Sequence, residues 1–392
     1  MANERTYNDP IGGTPSEIGP QIRQDHYLKQ ALIEARRLQY FMPLADVTAM
    51  PKNMGKKLRK YHYLPLLHDE NVNDQGLDAA GAAIADGNLY GSSKDIGTIT
   101  GKLPALSETG GRVHRVGYTR KEVQGTIEKF GFFDEYTQES LDFDSDAEMM
   151  QHINREMLSG ATEITEDALQ IDLINSAGVV RFGGAATSNA TVDSTSVVDY
   201  GDLLRLSITL DDNRSPKQTK VITGTRMVDT RTLAGGRVLY CGSELQPTLE
   251  AMTDLHGNQA FIGVHHYAAG STILNGEIGS IGYFRIVIVP EMTRWAGGGA
   301  ASDANMSDYY NDGTNYDVLP MLVVGDGSFS TIGFQTDGKT VKFKIMNKRP
   351  GDETADRTDP YGELGFMSIK WYYGFLLLRP ERIALVKTAA AL

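Results

Sequence analysis

The sequence predicts an α+β protein in which sheets pack against one long helix, and three features of the 392-residue chain predict it. First, apolar residues recur at helical spacing through 149–174, directly after Ser145-Asp146-Ala147-Glu148, which fits the reciprocal capping box S-x-x-E. Second, short runs of β-branched and aromatic residues fill the C-terminal half. Third, two strand-like runs, KKLRKYHYLPLL at 56–67 and RVHRVGYT at 112–119, enclose 44 residues, 68–111, with eight glycines and one aromatic, Tyr90. Fixing a backbone costs roughly 1–2 kcal/mol per residue. The scattered Val72, Leu77, Ile84, Leu89, Ile96, Ile99, Leu103 and Leu106 cannot offset that by packing on one another. A structureless loop of this length is improbable inside a compact domain, so the tract is an arm that is either disordered or ordered by other molecules.

In chain order, residues 1–20 carry Pro10, Pro15 and Pro20 with Gly12, Gly13 and Gly19, a composition that resists helix and ladder pairing and predicts an extended arm. Over 21–41, Ile22, Leu28, Leu32, Ala35 and Leu38 alternate with charged residues at helical spacing, which predicts an amphipathic helix ending before Pro43. Residues 52–62 hold Lys52, Lys56, Lys57, Arg59, Lys60 and His62, the densest positive charge in the chain. That charge fits contact with phosphates, contact with a partner's acidic face, or an edge strand kept soluble by lysine. The capped helix, if it absorbs Gly160, runs about 30 residues, roughly 45 Å. Its methionines read as core filling.

Residues 183–201 are rich in Gly, Ala, Ser and Thr and read as a loop, followed by a helix in 199–213. VITGTR at 221–226, RVLYCGS at 237–243 and YFRIVIVP at 283–290 read as strands, with a helix at 247–255 between the last two, a strand–helix–strand order that suggests an α/β unit. Residues 296–317 form a surface loop rich in Gly, Asp and Asn. MLVV at 321–324, VKFKIM at 341–346, SIKWYYGFLLL at 368–378 and RIALVKT at 382–388 complete the strands.

Composition bounds the function. The length allows two or three domains. Apolar content of 41% and charged content of 22% exclude wholesale disorder. A net charge of −12 argues against a dedicated nucleic-acid binder, which draws affinity from a basic surface. The single cysteine, Cys241, forms no internal disulfide, fits no zinc spacing and suits a reducing compartment. The N-terminus lacks the apolar stretch of an export signal and no run of about 18 apolar residues occurs, so a cytoplasmic site of synthesis and use is expected.

Chemical motifs each meet a simpler explanation. GFQTDGKT at 333–340 matches the phosphate-loop letters, but alternating β-formers and lysines follow where a helix is required, so Asp337-Gly338 reads as a hairpin turn. Asp142, Asp144, Asp146 and Glu148 resemble the start of a calcium loop, yet Ala147 and Ile153 stand at its glycine and glutamate positions. Gly276, Gly279 and Gly282 have the wrong spacing for a dinucleotide fingerprint and suit a close backbone approach instead. His265 and His266 adjoin on a strand-like segment and would point to opposite faces. No catalytic residue, cofactor or metal ligand is assigned.

KYHYLPLL at 60–67, NVNDQG at 71–76, GEIGSIG with YFRIVIVP at 276–290 and GFMSIKWYYGFLLLRPERIALVKT at 365–388 resemble the major capsid proteins of tailed bacteriophages, in the N-four-like podovirus branch. The resemblance implies the tailed-phage capsid fold shared with herpesvirus floors. Its parts would be an N-terminal arm and helix at 1–49, an extended two-stranded loop at 50–127, and a peripheral domain at 128–235 with a spine helix at 145–177. An axial domain at 236–340 and a return to the peripheral domain at 341–392 would follow. It implies no enzyme and no cofactor. Many copies, as hexamers and pentamers, would assemble in the host cytoplasm into an icosahedral shell around double-stranded DNA, joined by portal, scaffolding or decoration proteins and by no membrane. Lys56, Lys57, Arg59, Lys60, Arg112 and Arg115 are the expected arm contacts with acidic surface on a neighbouring subunit. Two other functions compete: a nucleotide-dependent enzyme using GFQTDGKT, and a host-surface adhesin or fibre.

Overall fold

Runs of β-branched and aromatic residues pair into two main sheets, and one amphipathic helix lies against both. The computed structural model describes residues 6–7, 16–17, 39–63, 120–143, 149–222, 230–267, 273–334, 343–351, 355 and 358–392. The first elements are β1 (Thr6–Tyr7), β2 (Ser16–Glu17), β3 (Asp46–Met50), β4 (Lys57–Tyr63) and β5 (Arg120–Thr137), then α1 (Gln138–Phe143) and α2 (Met149–Asn175). Next come β6 (Val179–Phe182), α3 (Tyr200–Asp212), β7 (Gln218–Ile222), β8 (Thr230–Ala234), β9 (Arg237–Cys241), α4 (Gln246–Glu250), β10 (Phe261–Gly263), β11 (Glu277–Ile281) and β12 (Phe284–Ile288). The C-terminal part is all strand: β13 (Leu319–Val324), β14 (Phe329–Phe334), β15 (Lys344–Lys348), β16 (Leu364–Leu377) and β17 (Ile383–Thr388).

One sheet has seven strands in the order β10-β11-β12-β9-β13-β17-β6. Its central strands β9 and β13 are buried along their whole length, as expected of continuous apolar runs covered on both faces. Leu203, Leu206 and Leu210 of α3 cover one face together with Leu245 and Leu249. β9 and β12 pair in parallel, Arg237 beside Phe284 through Cys241 beside Ile288, so the expected α/β unit forms. Its helix is shorter than 247–255, because Thr253 already bridges to Gln259 beyond α4. β11 lies between β10 and β12, and a Cβ at Gly279 would come within 2.4 Å of the Ile262 carbonyl oxygen. The close approach expected of that glycine run is therefore present.

The second sheet runs β3-β14-β16-β5-β4, with β15 also on β16. β16 turns Met367, Ile369, Trp371 and Tyr373 inward. They share one core with Met157, Ala161, Leu169 and Leu173 of α2 and with Tyr240, Leu322 and Leu385 of the seven-stranded sheet. The 27-residue α2, about 40 Å long, passes through Gly160 without a break and is the spine against which both sheets pack. Its expected capping box at 145–148 lies outside the described residues.

Several expectations are corrected. β4 pairs with 120–126 of β5, whereas 112–119 lies outside the described residues. β5, at 18 residues, continues to pair with β16 over 126–137. Instead of staying unpaired, the N-terminal arm carries β1 and β2 in a two-residue antiparallel ladder, which avoids its prolines. Of the expected helix at 21–41, only 39–41 is described; Met42–Leu44 forms a 3-10 turn that includes Pro43. The residues expected at the hairpin turn, Asp337-Gly338, are outside the described set. The flanking β14 and β15 do not pair with each other but both run antiparallel to β16, at 375–377 and 366–370, so they follow one another in the same direction along its length. β6 and β17 join the seven-stranded sheet, while β14 belongs to the other. The 296–317 tract is folded rather than loose: Tyr316 is buried and donates its hydroxyl to Asp303, and Tyr309 bridges to Ala391.

Candidate functional site

The charged residues picked out at the base of the long arm fall on a strand because Leu58 alternates with charged neighbours, and its packing with Val123 beside Ile127 and Ile332 sets which face turns inward. Lys56, Lys57, Arg59 and Lys60 are all exposed. Arg59 is partly engaged within the chain, 3.1 Å from the Glu122 carboxylate on β5, an exposed pair worth about 0–1 kcal/mol. Tyr61, 46% exposed, carries the Arg120 guanidinium 4.1 Å from its ring centroid. The structure thus brings three of the six predicted residues, Lys57, Arg59 and Lys60, onto one strand, with Lys56 in the bend just before it, and adds Arg120, which sits just past the run at 112–119. Arg112 and Arg115 lie outside the described residues.

Among the described residues, β4 occupies the sheet's outer position and pairs with β5 alone. Beyond Thr126, where β4 ends, residues 128–135 of β5 are exposed on both faces. Phe133 is 65% exposed, and Phe130 and Phe132 flank Trp371 with ring centroids at 6.1 and 6.2 Å. Charge runs and glycines disguised this strand in the sequence; the signal that could have found it is the alternation Val123, Gly125, Ile127.

The root of the N-terminal segment is fixed by an acid that the sequence alone did not single out. Glu166 of α2, 2% exposed, accepts hydrogen bonds from three consecutive backbone N–H groups: Tyr40 at 2.7 Å, Phe41 at 2.6 Å and Met42 at 3.2 Å. Six residues along the same helix, Asp172 accepts from the Tyr373 hydroxyl at 3.1 Å; burial raises its carboxyl above the ordinary range while that bond opposes the shift. Burial and the nearby Asp172 push the Tyr373 phenol up in turn. These groups hold elements together.

β15, a strand, follows GFQTDGKT where a phosphate loop requires a helix. His265 and His266 sit on a 3-10 turn with ring centroids 4.1 Å apart, rather than on opposite faces of a strand. Among the described residues no group of three or more His, Cys, Asp or Glu could hold a metal ion, and no helix is long and apolar enough to cross a membrane. Cys241 is buried, and desolvation, with a smaller contribution from Glu244, pushes its thiol up to about 12, which keeps it protonated and unreactive.

Residues 120–388 match a family model described as a phage capsid protein. Over 386 residues the chain is 62% identical to the major capsid protein of Pseudomonas phage KPP21, covering 98% of this chain and 97% of that one. Among solved structures, the capsid of Ralstonia phage GP4 superposes with a TM-score of 0.56 at 11% identity, over 95% of this chain and 97% of that chain. The head structure of Helicobacter pylori bacteriophage KHP40 gives 0.52 at 10% identity, over 94% and 95%. At such low identity these two likenesses speak to the fold.

Proposed function

Because the chain belongs to the phage capsid protein family and carries the function of a phage major capsid protein, we infer that its basic strand and extended arm are the parts through which copies join. The observation that carries this reading is the position of Lys56, Lys57, Arg59 and Lys60: exposed, on an outer strand and the bend that leads into it, at the root of a tract that cannot pay for its own ordering. The copies tile an icosahedral shell of hexamers and pentamers enclosing the double-stranded DNA of a tailed phage. Each contact is modest, and closure of a symmetric lattice makes their sum strong.

We assign residues 50–127 to the extended loop, 128–235 with α2 and 341–392 to the peripheral domain, and 236–340 to the axial domain that lines the capsomer centre. The net charge of −12 fits a wall that surrounds DNA without gripping it. Catalysis plays no part in this role. Shells form in the host cytoplasm, and portal, scaffolding or decoration proteins are the further partners. Arg112 and Arg115 extend the basic contact along the arm's returning run. Negative-stain microscopy of the purified protein tests the reading: closed shells, capsomers or sheets are expected, and a persistent monomer at high concentration overturns it.

A further inference from the structure

We propose that the open edge of β5 at 128–135 is the acidic surface that receives β4 of a second copy, an inference that rests on the reading of β4 as a contact strand. The Ile127 N–H still donates to the Lys56 carbonyl, but over 128–137 β5 pairs only with β16 among the described residues, so alternate N–H and C=O groups along its other edge lack a ladder partner. An exposed edge of this length, with aromatic residues between its charges, is a template for strand addition. This edge presents Phe133 and the rims of Phe130 and Phe132.

The choice of β4 as occupant follows from charge. The open edge carries Glu128, Asp134 and Glu135 against one base, Lys129, all exposed. β4 and the turn before it offer Lys56, Lys57 and Lys60 with the half-exposed Tyr61 and exposed Met54, and the outer edge of β4 has no ladder partner among the described residues either. β4 cannot fill the site within its own chain, because its inner edge is already bonded to 120–126 of the same β5. One copy therefore donates a basic strand at one end of the sheet and accepts a basic strand at the other. Such head-to-tail pairing uses two different surfaces and propagates from copy to copy until a ring closes. A pairing of two β5 edges would bring together two surfaces that each carry Glu128, Asp134 and Glu135 against one lysine, like charge near like. Opposite charge also favours the correct register and speeds encounter.

Charge reversal in the full-length protein tests this. Lys57→Glu with Lys60→Glu, and separately Glu128→Lys with Glu135→Lys, are each expected to lower the yield of closed shells by about tenfold or more, since a small loss per contact multiplies across the lattice. The chain carrying all four changes is expected to recover assembly. All four positions are exposed, so urea unfolding of the unassembled variants should match the parent. If the acidic pair of changes assembles normally, or the fourfold variant stays defective, the partner assignment falls while β4 stands as a contact. If the lysine pair assembles normally, the reading of β4 falls as well.

Discussion

At the residue scale, Glu166 shows how one side chain fixes where ordered structure begins. A carboxylate offers two oxygens to three amide donors, whereas a glutamine in the same place keeps one oxygen and turns an NH2 group toward N–H groups. Glu166→Gln should therefore cost about 1–3 kcal/mol, read as a lower urea midpoint, with faster hydrogen exchange at residues 40–42. Asp172 gives a prediction of opposite kind. Its folded-state carboxyl is raised above 3.8 by burial, so the folded protein holds that proton more tightly than the unfolded chain, and the site loses stability as pH rises through the carboxylate range toward neutrality. Asp172→Asn retains an acceptor for Tyr373 and removes the ionisation. It should flatten that part of the pH–stability profile, measured by unfolding at acidic and neutral pH. Neither role could be read from the sequence, because the partners of Glu166 are backbone amides 124 to 126 residues away and Tyr373 is 201 residues from Asp172. The lysines of β4 were legible, since a dense charge run announces itself without tertiary information.

At the scale of elements, α2 was legible because 27 residues give the 3.6-residue period room to stand out, and a single glycine inside it costs only about 1 kcal/mol. A proline differs in kind, since it removes a hydrogen bond and clashes with the preceding turn. Ala161→Pro, at a fully buried position on the spine, should destabilise by about 3 kcal/mol or more, visible as lost helical circular dichroism and an early unfolding transition. β5 was not legible, because charged residues and glycines interrupt its alternation, and the features that make it a strand are Trp371 and the rest of β16 lying beside it. The turn expected at Asp337-Gly338 lies outside the described residues, and the strands on either side of it are placed by a third strand. Turn letters report local preference, while the direction of β14 and β15 is set by β16.

For the whole molecule, the mixed fold and the family were readable from runs that are strongly apolar or closely matched, whereas the grouping of strands into sheets was not. β6 and β17 are far apart in sequence and meet only through long-range pairing, which no local pattern encodes. The arm supplies the test at this scale. Deleting 68–111 should leave a soluble body whose unfolding matches the parent, since the scattered apolar residues of that tract cannot build a core by packing on one another. Electron microscopy should find no closed shells from it; normal shells would overturn the role given to the arm.

The pairing of β3 with β14 joins residues 284 apart, with the Ser330 hydroxyl bonded to the Asp46 carbonyl. At a synthesis rate of about 5–20 residues per second, β3 leaves the ribosome roughly 15–60 s before its partner exists. Long-range parallel pairing is intrinsically slow and leaves edges open meanwhile. During translation each nascent chain thus presents an unmatched strand beside sibling chains on the same message, and that interval is when a chaperone has most to protect.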